Sequence, residues 1–295
     1  MKLTFKFKTL ALSALVALGC VSAKAQIFYK VEKPGSDKVS YLLGTHHFAP
    51  VEVLDSLKDF KSALASVDKV YGEINMALMS NPAELMKYQS VIMAPADSTL
   101  DKILTPVELD SVQVVWNRIS KGQMPLSMMY AMKPATLTNA MVALLMAEHF
   151  PEKDMQAPGL DQTVQDLAKA GGKEVGGLES MDFQMKMLYG KPISIQKEDL
   201  LESVENGGAD VIDKTLTLTD AYMARDLKKM AELMEEEDES LEELVFARNE
   251  NWTKLLKEEF DVHPVMVVVG AGHLPMERGL IDLLTKEGYT VTPIE

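Results

Sequence analysis

The sequence predicts an α/β fold bordering on α+β: a mixed central sheet covered by helices, with a helical insertion over residues 80–150. Three observations carry this. Short runs of β-branched and aromatic residues recur along the chain, separated by stretches with helical spacing. The segment from about Asn81 to Phe150 keeps that spacing and is rich in Met. A hydrophobic fraction of 47% over 295 residues supplies a large core and excludes global disorder.

The elements follow in order. Residues 27–31 and 39–43 read as strands around a Pro34-Gly35-Ser36-Asp37 turn. Val53, Leu54, Leu57, Phe60 and Leu64 give residues 51–66 the spacing of a helix, and 69–74 read as a third strand. Asn81-Pro82-Ala83-Glu84 and Thr105-Pro106-Val107-Glu108 each place an N-cap, a Pro and a Glu as a helix start requires. A second unit begins near Gly159. Asp161 is expected to cap a helix that ends at Gly171-Gly172. A strand at 173–179 follows, then helices over 184–190, 196–206 and 209–235. The acidic run Glu235–Glu239 reads as a solvated corner, and Ser240 opens another capping box. A helix over 241–256, a strand at 264–269, a helix from Met276 to Glu287 and a strand at 289–294 close the chain.

Charge and processing narrow the function. With 30 Lys+Arg against 44 Asp+Glu, the net charge is −14. No basic surplus exists to displace counterions from nucleic acid or to hold an anionic membrane. Lys2, Lys6 and Lys8, a short apolar stretch from Leu10 to Gly19, and Ala23-Lys24-Ala25 read as a signal peptide over residues 1–25. The remaining 26–295 is expected to form one domain, exported to a periplasmic or external space. The apolar stretch is too short to span a bilayer, and no later run is longer. Cys20, the single Cys, lies inside the leader. Mature protein would therefore have no disulfide, thiol nucleophile or Cys-bound zinc. A lipid-modified N-terminus at Cys20 is the competing expectation.

Two motifs carry candidate chemistry. Gly44-Thr45-His46-His47 and Gly270-Ala271-Gly272-His273 are both G-x-x-H, and both follow a strand. In open α/β sheets, ligands bind at that edge. A His there can ligate a metal or move protons near neutral pH. A Gly-rich turn with a hydrogen-bonded His would give the same pattern. Adjacent side chains of an extended segment point oppositely, so the repeat selects His47 and leaves His46 a supporting or structural role. Glu73 and Glu179 each end a strand of apolar residues, where a carboxylate needs a partner if buried. They are read either as exposed edge positions or as facing one site. Arg248 falls on the apolar stripe of Leu241, Val245, Trp252 and Leu255. It requires a carboxylate or bound anion there, unless it reaches solvent from the stripe's edge. Met128, Met129 and Met132 read as packing, and His149 and His263 as structural. Gly-x-Ser-x-Gly, His-Glu-x-x-His and the P-loop pattern are absent.

Taken together, LLGTHH at 42–47, VYGEIN at 70–75, GLD at 159–161, GLES at 177–180, ARNENW at 247–252, VVVGAGHLP at 267–275 and GYTVTPI at 288–294 resemble the TraB/PrgY/GumN family. Its animal relatives include the Tiki proteins. The resemblance spans nearly the whole of 26–295 and is loose only over the helical insertion. It implies a core of two duplicated β/α units and a metal-dependent hydrolase, with the Tiki proteins regarded as proteases. On this reading His47 and His273 bind a divalent ion, and Glu73 or Glu179 completes the ligand set while the other serves as base. Arg248 holds that base or stabilises developing charge. His46, Asn249 and Asp161 stand behind them. An N/O donor set without thiolate admits Mn, Co, Zn or Fe. A peptide or protein is the expected substrate. A non-catalytic binder of haem, metal or peptide is the alternative on the same fold.

Overall fold

The computed structural model describes residues 26–150, 157–235 and 241–294. The leader with Cys20, the acidic run from Glu236 and the Ser240 cap lie outside the described residues. Among the described residues the strands are β1 (Phe28–Glu32), β2 (Val39–Thr45), β3 (Lys69–Gly72), β4 (Glu174–Gly177), β5 (Val265–Gly270) and β6 (Thr290–Pro293), in the order β4-β3-β5-β2-β1-β6. β2, β3, β4 and β5 pair in parallel, while β1 is antiparallel to both β2 and β6. The sheet is mixed, as expected. No described helix is long and apolar enough to cross a membrane.

β5 explains the layering. Val265, Met266, Val267, Val268 and Val269 are all 0% exposed, so both faces of this strand are covered. Such a continuous apolar run belongs to a buried parallel strand. Around it, the main core gathers Phe28, Leu42, Val70, Val164, Trp252 and Leu284. A second core lies in the helical region, where α3 (Leu100–Ile103), α4 (Pro106–Ile119) and α5 (Pro134–His149) pack Leu100, Trp116, Leu137 and Leu145 together. Leu200 of α8 (Ile193–Val204) joins it. The helical insertion thus completes its core with a helix from later in the chain.

The caps divide into those that form and those diverted elsewhere. Thr105 and Glu108 make the reciprocal capping box of α4. Asn81 caps α2 (Pro82–Ile92) through the Ala83 N–H, but Glu84 accepts from the Tyr88 hydroxyl instead of reaching back. Asp161 does not cap α6 (Leu160–Ala170). Gly159 stands at the N-cap, and the Asp161 carboxylate turns away to accept from the Thr45 hydroxyl at 2.7 Å.

Three expected helices are shorter or interrupted, each at a left-handed residue. Residues 51–66 divide into a 3-10 turn and α1 (Phe60–Ser66) at Asp59, φ 60°. Residues 209–235 divide into α9 (Ala209–Met223) and α10 (Leu227–Glu235) at Arg225, φ 58°. There the guanidinium donates to the Ser56 carbonyl and hydroxyl. Met276 and Arg278, both with positive φ, delay α12 to Leu280–Lys286. Helix formation before Arg248 runs through a π-turn, Glu242–Phe246, into α11 (Ala247–Val262). A π-turn widens the helix by one residue and often marks a site.

Candidate functional site

Strand register builds the site. Thr45 of β2 lies opposite Gly270 of β5, Val268 of β5 opposite Gly72 of β3, and Gly72 opposite Gly177 of β4. The residues just past these positions are therefore neighbours at one edge of the sheet. Across that edge they run Glu179, Glu73, His273, His47. The two G-x-x-H segments end adjacent parallel strands and touch. A Cβ on Gly44 would come within 3.0 Å of Ala271, so glycine permits this approach. β3 and β4 stop at Gly72 and Gly177, earlier than the sequence suggests, which frees Glu73 and Glu179 to turn inward.

Arg248 joins three of the four. Its Nε donates to Glu179 Oε2 at 3.0 Å and its Nη2 to Glu179 Oε1 at 2.8 Å, a two-pronged pair. Nη2 also donates to Glu73 Oε2. Nη1 donates to the Leu244 carbonyl at 2.8 Å and faces His273 Nε2 at 3.1 Å. A guanidinium has five N–H donors, and each has an acceptor here. The carbonyl of Leu244 belongs to the π-turn. Arg248 is 5% exposed, so the expectation of a partnered Arg on the core stripe is met by both carboxylates at once. Burial alone would lower its pKa; the two carboxylates outweigh that and raise it.

The hydrogen bonds fix the tautomer of His273. Asn249 Nδ2 donates to the carbonyls of His273 and Arg278, which leaves Oδ1 as acceptor. His273 Nδ1 lies 2.8 Å from that Oδ1 and therefore carries the proton. Nε2 is a lone pair directed at Arg248. Burial pushes the His273 pKa down to about 4, with Arg248 adding to it and Glu73 opposing. His273 is therefore neutral at pH 7. Its ring packs on Trp252, centroids 4.5 Å apart.

The carboxylates differ in access. Glu179 is enclosed: Trp252 Nε1 donates to its Oε2 at 3.2 Å and Gln184 Nε2 lies 3.4 Å from its Oε1. Glu73 accepts from the Gly270 N–H at 2.9 Å and faces His273 Nε2 at 3.7 Å through the same Oε1. Burial would raise Glu73, but His273, Arg248 and the Gly270 N–H override it and hold the pKa at about 2. Among these groups Glu73, not Glu179, lines the cavities at this edge.

His46 and His47 lie just past the end of β2, His47 in a turn, and meet different partners. The Thr219 hydroxyl donates to the Thr215 carbonyl, so it accepts from His46 Nε2 at 2.8 Å. His47 has a side chain 87% exposed, with Nδ1 3.9 Å from Asp161 Oδ2. Asp161 has a pKa raised by burial, against the lowering effects of His47 and Thr45. His149 bonds the Leu145 carbonyl and His263 approaches Asp68, both away from this edge.

His47, His273, Glu73 and Arg248 line one cavity of about 370 Å³, and Asp161 joins His47 and Glu73 on the adjoining one. Imidazole nitrogen and carboxylate oxygen are donors that a divalent ion takes, although the lone pair of His273 Nε2 is already directed at Arg248. Donors bound to one ion at about 2.0–2.2 Å stand somewhat over 3 Å apart. His47–Asp161 at 3.9 Å and His273–Glu73 at 3.7 Å are two pairs near that spacing. The pairs remain separate: among the described residues no three His, Cys, Asp or Glu side chains gather as one metal-holding group.

Gln184, Thr45 and Trp252 complete the arrangement without having been expected in it. Thr45 sits inside the first G-x-x-H and Trp252 one helical turn after Arg248, so spacing could have nominated both. Gln184 had no such signal.

An α/β protein with an ionisable site at the C-terminal edge of its parallel strands is the class that fold and geometry define. The chain belongs to the TraB/PrgY/gumN family, whose model matches residues 27–293. Neither the curated proteins nor the solved structures compared with it give a match.

Proposed function

We propose that this chain is an exported, metal-dependent hydrolase acting on peptides. The observation that carries the reading is the convergence of His47, Glu73, Asp161 and His273 on adjoining cavities, in a chain of this family. His47 and His273 would hold a divalent ion, with Glu73 as the carboxylate ligand. Such an ion supplies an acidified water and polarises a carbonyl. Glu73 stays ionised throughout the neutral range and is too weak a base to take a proton there. Asp161, less acidic than usual, is the better proton acceptor at this edge. Glu179 holds Arg248 in place. Arg248 keeps a fixed positive charge beside the cavity, suited to negative charge developing on a substrate oxygen.

Cleavage of a peptide library by protein supplied in turn with Mn, Co, Zn and Fe tests this. Turnover with at least one metal, abolished in His47→Ala and His273→Ala, is the expected result. Absence of turnover with every metal would reject it.

Arg248 favours a second reading, because its Nη1 already engages the His273 lone pair. A non-catalytic binder of haem, metal or peptide would leave that contact intact and yield stoichiometric capture without product. Export rests on residues 1–25, with cleavage after Ala25 and lipid attachment at Cys20 as the two forms. Intact mass of the mature protein separates them.

A further inference from the structure

The cavity bearing His47, Glu73 and Asp161 has walls unlike its floor. It encloses about 350 Å³ and is lined by Met76, Met79, Met181, Met185, Ile74 and Leu188. On the other side of His47 and Glu73, the cavity of about 370 Å³ has walls from Met187, Met230, Met234 and Leu218. The two share His47, Glu73, Gln184 and Leu188. A ligand lying across them meets a polar ridge between two thioether-lined hollows. Each hollow is at the small end of ligand pockets, about 300–1,000 Å³. That suits side chains carried on a backbone better than one extended planar ligand.

We infer that these hollows are subsites for large apolar side chains of a peptide, set on either side of the bond that the polar ridge addresses. The inference rests on the hydrolase reading for the chemistry at the ridge, but not for binding. Three features select the occupant. Arg248 lines the second hollow, so selection against acid belongs to the first, where among the described residues no Lys or Arg meets an acidic side chain. Glu73 and Asp161 on the floor, with a net charge of −14 for the chain, oppose one. Unbranched Met side chains adapt to different apolar shapes, so the preference is for apolar bulk rather than one residue. Met79 at 41% and Leu188 at 42% exposure leave apolar surface at the mouth that an incoming side chain would cover.

The test is titration of the full chain, carrying 13C-methyl Met, with Ac-Ala-Leu-Ala-amide, Ac-Ala-Phe-Ala-amide and Ac-Ala-Asp-Ala-amide. Methyl signals of Met79 and Met185 should move with the Leu and Phe peptides. Both should bind at least about tenfold tighter than the Asp peptide, the effect of burying one apolar side chain. Met79→Gln with Met185→Gln should remove about that factor while the Met141 methyl, in the second core, stays unmoved. Equal affinity for the three peptides, or shifts confined to other Met residues, would overturn the inference. Apolar-selective binding without cleavage would sink the hydrolase reading and leave the subsites standing. Cleavage indifferent to Leu, Phe or Asp would do the reverse.

Discussion

Two halves of the candidate site are built to opposite rules. Around Arg248 every polar atom is engaged: two carboxylates, a backbone carbonyl and an imidazole lone pair satisfy its donors, and Trp252 lies beneath its guanidinium at 4.6 Å. Around His47 the side chain stands 87% exposed, with Nδ1 3.9 Å from Asp161 Oδ2. Both histidines come from the same motif on neighbouring strands. Burial, not sequence, separates them: α11 covers His273 and leaves His47 open. One half is pre-organised by its hydrogen bonds; the other presents its imidazole at the surface.

The largest effect should come from breaking the closed half. Arg248→Ala leaves Glu73 and Glu179 buried without their counter-charge, and loss of one partner of a buried pair costs about 3–5 kcal/mol. Denaturant unfolding should show it, and Arg248→Lys should recover only part, since an ammonium cannot reproduce the two-pronged contact with Glu179. Recovery to wild-type stability by Lys would show that charge alone matters.

Acidification should act on the same half in the metal-free protein. The pKa of His273 is lowered from 6.5 to about 4 in the folded state. The unfolded chain therefore binds the proton first, and stability present above pH 6.5 falls as pH drops toward 4. Glu73, lowered from 4.5 to about 2, extends the loss below pH 4.5. His273→Gln should flatten the upper part of this profile and shrink the lower part, because His273 helps to hold the Glu73 pKa down. An unchanged slope between pH 6.5 and 4 would place the titration elsewhere.

Smaller effects calibrate the comparison. Thr105→Ala removes the capping box of α4, far from the site, and should cost about 1 kcal/mol by thermal unfolding. His47→Ala should change stability by no more than about 0.5 kcal/mol, as surface substitutions do, while removing metal-dependent activity. A large loss of stability in His47→Ala would mean that the open half is structural too.

Much of this was legible in the sequence. The strands, the core stripe with Arg248 and the positions of Glu73 and Glu179 at strand ends follow from period and composition. What stayed hidden depends on tertiary partners. Asp161 looks like a helix cap, but the hydroxyl of Thr45, brought beside it by folding, draws the carboxylate away. Arg225 sits in a helical pattern, yet its guanidinium finds Ser56 and its backbone turns left-handed. Gln184 carries no periodic signal at all and reaches Glu73 and Glu179 only because α7 (Met181–Tyr189) follows directly on β4. Local pattern names the elements; contacts between distant segments decide what their ends do.

The central claim is that the open and closed halves share one divalent cation. Elemental analysis of purified wild type, His47→Ala and His273→Ala measures it directly. The account predicts about one equivalent of bound divalent metal per wild-type chain, and its loss from both variants while His47→Ala remains fully folded. Metal that persists in both variants, or wild-type protein that takes up none when supplied with Mn, Co, Zn and Fe, would contradict it.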